Sequence, residues 1–150
     1  MRDITKILRT VHSGVTSSLS HAEISGVTVG YSIVNSSGTS ISIDLISMNA
    51  SGSQSQDKLK YDCRVSLSAV FRLNGPGYSV TDHNDVIEAI YDTFQQTSTT
   101  GFIFESAQEN ELSIESVNDA GSVKDGPVAD VDGSYVVRYI QDFNMVIQYD

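Results

Sequence analysis

The stretch LKYDCRVSLSAVFRL, residues 59–73, places an apolar residue at every odd position: Leu59, Tyr61, Cys63, Val65, Leu67, Ala69, Phe71 and Leu73. The even positions are polar except Val70. A period of two sustained this far specifies an extended strand with one dry face and one wet face. Strands in globular proteins usually run about 5–6 residues. A strand this long needs a long neighbour and a broad apolar layer to cover its dry face. YVVRYIQDFNMVIQY, residues 135–149, repeats the pattern, with Tyr135, Val137, Tyr139, Phe143, Met145, Ile147 and Tyr149 on one face and Gln141 as the interruption.

Shorter segments supply the rest. Ile4, Ile7, Leu8 and Val11 recur at helical spacing, so residues 3–12 read as a helix that His12-Ser13-Gly14 weakens and that Val15 and Leu19 can extend. VTVGYSIV (27–34) and TSISIDLIS (39–47) alternate around the turn NSSG and predict a hairpin. Residues 48–58 are a polar loop of small residues. TDHNDVIEAIYDTFQQ (81–96) predicts a second helix, with Thr81 or Asp82 as N-cap and Val86, Ile87, Ile90, Tyr91 and Phe94 on one face. FIFES (102–106) and LSIESV (112–117) read as short strands, and 118–134 reads as an acidic, glycine-containing loop. The expectation is one α+β domain over 1–150, a mostly antiparallel sheet with two long strands packed on two helices. Phe71 and Ile147 are expected on the same buried side as Ile90 and Phe94.

Charge narrows the function. The net charge is −10. Residues 1–99 hold nine acids against seven bases, whereas residues 100–150 hold ten acids against two, Lys124 and Arg138. Gripping nucleic acid draws on clustered Lys and Arg, so such a chain is a poor phosphate binder. An acidic surface instead lets DNA pass without adhering. A lone cysteine, Cys63, excludes an internal disulfide. The N-terminal stretch MRDITKILRTVHSG lacks the apolar run of a signal peptide, and no segment has the roughly 20 apolar residues of a membrane span. Assembly in a cytoplasm is expected.

Catalytic constellations do not emerge. His12, His21 and His83 are far apart in sequence and read as surface residues. Cys63 has no neighbouring base, and no phosphate-binding glycine pattern occurs. DVDGS at 130–134 has the start of a calcium loop in Asp130 and Asp132, but it lacks the Glu of position twelve, and Asp142 falls at position thirteen instead. The expectation is a non-enzyme without cofactor or resident metal.

The order of elements carries a resemblance. An amphipathic N-terminal helix leads into strands, then the long strand YDCRVSLSAVFRL, then the helix DVIEAIYDTF, and the last strand ends FNMVIQYD. Over nearly its whole length the chain resembles the tail terminator proteins of long-tailed bacteriophages, of the lambda U-protein type. The loops 48–58 and 118–134 are long for that family. The resemblance implies a virion protein that forms a ring of six copies, caps the tail tube and meets the head-side connector, with DNA passing through the lumen. Asp119, Asp125, Asp130 and Asp132 are then candidates to line the lumen. Gln54, Gln56, Asp57 and Lys58 are candidates for an assembly loop. A tail-tube or neck subunit is the related alternative; a monomeric ligand-binding or adaptor domain is the alternative from another class.

Overall fold

The computed structural model describes residues 4–31, 39–50, 60–73, 80–94, 102–129 and 135–149. In chain order these form α1 (Ile4–His21), β1 (Val27–Tyr31), β2 (Thr39–Ala50), β3 (Lys60–Leu73), α2 (Val80–Thr93), α3 (Phe102–Glu109), β4 (Leu112–Ala129) and β5 (Tyr135–Tyr149). The class is α+β. Five strands make one sheet in the order β1-β2-β3-β5-β4, antiparallel at every pairing except β1 with β2.

The dry faces of β3 and β5 meet in register. Cys63 lies opposite Met145, Val65 opposite Phe143, and Phe71 opposite Val137. These residues are buried, and one hydrophobic cluster joins them to Ile7, Val11, Val15 and Leu19 of α1, to Val86, Ala89 and Ile90 of α2 with Phe94 just beyond it, and to Ile103 and Ala107 of α3. Phe71, Ile147, Ile90 and Phe94 share this core. Each large apolar side chain removed from water contributes about 1.5–3 kcal/mol, which is what holds the helices to the sheet.

Gly14 explains why α1 continues through the His-Ser-Gly stretch to His21. A Cβ there would lie 3.1 Å from Thr93 Cγ2 and 3.3 Å from the Ile103 Cα. The glycine costs helix propensity, but it lets α1 approach α2 and α3 closely.

Several expectations are corrected. Residues 102–106 are helical: Ile103, Ser106 and Ala107 are buried at a spacing of three and four, a helical stripe that the run Phe-Ile-Phe obscures. The stretch 107–111, expected as a loop between strands, is the end of α3 and its turn. β1 and β2 are parallel, not a hairpin, with Val29 opposite Ile41; alternation fixes which side chains share a face and says nothing of strand direction. Residues 118–129, expected as loop, are the last two thirds of an 18-residue edge strand. Its alternation is broken by register shifts at Ile114/Ser116, Asp119/Ser122 and Asp125/Val128, and Gly121 and Gly126 sit at φ +107° and +99° there. Bulges of this kind are common on edge strands, where they blunt unwanted pairing. α2 begins at Val80, so Thr81 and Asp82 lie inside the helix and do not precede it as caps. Among the described residues three helices, not two, cover the sheet, and β2 and β4 are long strands beside β3 and β5. Among the described residues no helix is long and apolar enough to cross a membrane.

Candidate functional site on the uncovered sheet face

All three helices lie against the face formed by the odd residues of β3 and β5. The opposite face carries no helix among the described residues. Strand pairing arranges it as a grid. Arg72, Val136 and Val128 form one row across β3, β5 and β4. Val70, Arg138 and Asp125 form the next, and Ser68, Ile140 and Val123 the third. Val123 and Val128 are 63% and 56% exposed, while Val70, Val136 and Ile140 are half-buried by their neighbours. Five aliphatic side chains thus surround one exposed arginine, Arg138. Arg72, Asp125, Val128, Val136 and Arg138 line a shallow cleft of about 290 Å³ at this end.

Toward the other end the same face turns polar. Ser47, Arg64, Asn144 and Asn118 form a straight row across four strands. Arg64 donates to Asp142 Oδ2 from Nε at 3.1 Å and from Nη2 at 2.8 Å. Lys60 Nζ donates to Glu115 Oε1 at 2.9 Å. Surface pairs of this kind contribute about 0–1 kcal/mol each, so they set local charge more than stability. Their effect is to cancel the charges of Lys60 and Arg64; the apolar half carries Arg72 and Arg138, with Asp125 opposite Arg138.

The helical side is different. Asp85, Glu88 and Asp92 are exposed on α2 at intervals of three and four, one helix face. Glu105 and Glu109 are exposed four residues apart on α3. α2 has no basic residue in its last turn, where Asp92 sits. A carboxylate there opposes the helix dipole.

The inward face of the sheet holds a polar cluster that explains the break at Gln141. This side chain is 0% exposed and fully bonded. Its Oε1 accepts from the Tyr91 hydroxyl at 2.7 Å and the Tyr139 hydroxyl at 3.1 Å. Its Nε2 donates to Asp119 Oδ1 at 2.7 Å and to the Asp142 carbonyl at 3.0 Å. The Tyr91 and Tyr139 oxygens are 3.0 Å apart. The Tyr91 hydroxyl is pushed up to about 12, first by its hydrogen bond with Tyr139, then by burial and by electrostatic repulsion from its neighbours Tyr139 and Asp119. It stays protonated and serves as a tether between helix and sheet, not as a base.

The sequence candidates fall apart in space. Asp119 is bound inward, with Oδ1 also accepting from the Gly121 N–H at 2.8 Å. Asp125 is exposed on the opposite face, across from Arg138. Asp130, Asp132, Gln54, Gln56, Asp57 and Lys58 lie outside the described residues. Among the described residues no group of three or more His, Cys, Asp or Glu could hold a metal ion. The histidines have separate surroundings: His12 Nε2 donates to the Val29 carbonyl at 3.2 Å, His21 stands 5.4 Å from the Phe102 ring, and His83 is buried 3.9 Å from the Phe71 ring. His83 is therefore not the surface residue its sequence context suggests. The grid around Arg138 escapes a sequence reading that follows only the drier face of 135–149; its signal was the aliphatic Val136 and Ile140 at even positions, with Val70 on the wet face of 59–73.

No family model and no curated protein matches this chain.

Proposed function

We propose that the chain is a virion structural protein of a phage tail, a terminator subunit. It assembles as a ring, most simply of six copies, caps the tail tube and joins it to the head-side connector. The observation that supports this reading best is the uncovered sheet face, where Val70, Val123, Val128, Val136 and Ile140 surround Arg138. Apolar side chains collected on a face without a helix suit contact with another subunit. One heterologous contact repeated about an axis closes a ring. In this reading β3 and β5, packed on α1 and α2, are the frame of the subunit. The net charge of −10 keeps the assembly from adhering to DNA in its lumen. A tail-tube or neck subunit uses the same physics and is separated by phenotype. No catalytic role is assigned.

The second reading, a monomeric ligand-binding or adaptor domain, draws on a cleft of about 450 Å³ beside Glu23, Ile24, Val27, His83 and Val86, a size within the range of ligand sites.

The test is electron microscopy of particles made without this gene. Overlong tubes that fail to join heads are the expected result. Absent tubes would reassign the chain to the tube, and normal-length tails beside filled heads to the neck. Normal infectious particles would overturn the assembly reading in favour of the binding domain.

A further inference from the structure

We infer that the Arg138 patch of one copy receives the acidic face of α2 from a second copy. The inference rests on the ring reading above and names the two surfaces that meet. The patch offers aliphatic contact from Val70, Val136 and Ile140 around Arg138, which makes no ion pair among the described residues although Asp125 lies opposite it; Arg72 in the next row keeps the patch cationic. α2 offers the complement: Asp85, Glu88 and Asp92 on one exposed face, with half-buried Ile87 beside Glu88. Asp92 stands where its charge weakens its own helix, and it makes no ion pair among the described residues, so a cation from a neighbouring copy answers its charge. The two surfaces lie on opposite sides of the sheet, so a single copy cannot satisfy both internally. Contact between copies is therefore head to tail, the geometry that propagates around an axis. Charge complementarity across such a contact also fixes its register.

Native mass spectrometry of the purified full chain tests this with two variants, Arg138→Glu and the double substitution Glu88→Lys with Asp92→Lys. Wild type is expected to assemble. Each variant alone is expected to assemble at least about tenfold more weakly, the scale of close charge pairs at interfaces. An equimolar mixture of the two is expected to recover assembly, because every junction in an alternating ring again joins opposite charges. Recovery also shows that both variants are folded. Val123→Asp, at an exposed position, is expected to give the same loss without disturbing the core. Variants that assemble like wild type would overturn the inference and leave the ring reading standing. Loss with Arg138→Glu alone, not recovered by mixing, would mean sheet faces meeting each other and would equally overturn it. A monomeric wild type would overturn both.

Discussion

The Tyr91 hydroxyl on α2 donates to Oε1 of Gln141 on β5 at 2.7 Å. Through the other end of the same amide the link continues to Asp119 on β4. One buried side chain therefore connects a helix to two strands, with every donor and acceptor satisfied. Replacing Gln141 by Leu keeps the volume but removes the partners of two hydroxyls and a carboxylate. The expected loss of stability is about 1–3 kcal/mol in urea unfolding, the cost of taking hydrogen-bond partners from part-buried polar groups. A loss below about 0.5 kcal/mol would show that water replaces the amide without penalty.

Tyr91 also predicts behaviour in alkali. Its ionisation lies higher in the folded chain, at about 12, than the ordinary value of 10.0. The folded state thus favours the neutral hydroxyl. The stabilisation it brings is fully present below pH 10 and is lost as pH rises through about 12. Tyr91→Phe should be less stable than wild type at neutral pH, and the gap should close over that alkaline window. A constant gap across the window would disconnect the hydroxyl from stability.

Phe71 lies 3.9 Å from the His83 ring and is 2% exposed on the central strand. Phe71→Ala should cost about 3–5 kcal/mol by calorimetry or denaturant unfolding, the usual toll of emptying such a site. A cost below about 1 kcal/mol would remove Phe71 from the core of the subunit.

The two bulge glycines of β4 make a paired comparison. Both have positive φ, which disfavours any side chain. At Gly121 an added Cβ meets nothing within 4 Å, whereas at Gly126 it would lie 2.5 Å from the Val136 carbonyl oxygen. Gly121→Ala should cost about 1–3 kcal/mol from backbone strain, and Gly126→Ala distinctly more. Equal melting temperatures for the two variants would show that the β4–β5 contact yields easily.

The legible parts of this fold are those where one physical demand dominates. The inward faces of β3 and β5 keep a period of two, Gln141 apart, because each strand has a neighbour on both sides and helices over one face. α1 and α2 announce themselves by apolar stripes. β4 does not, because an edge strand with three register shifts never holds a period of two for long. α3 has eight residues, two turns, too few for Ile103, Ser106 and Ala107 to outweigh the strand-like Phe102-Ile103-Phe104. The parallel course of β1 depends on pairing that no local pattern encodes. Gln141 was visible as an interruption, but its partners Tyr91 and Asp119 come from other elements. The Arg138 grid exists only once three strands are set side by side.

The sheet order has a consequence for how the chain is made. β3 pairs with β2 on one side and on the other with β5, so that Lys60 lies opposite Gln148. During synthesis the long central strand therefore emerges with one of its two edges open, and it stays open until residues 135–149 have left the ribosome. Closing so distant a pairing is slow, because chain entropy must be lost before the contacts form. The interval is one in which an unsatisfied apolar strand meets its counterparts on other nascent chains.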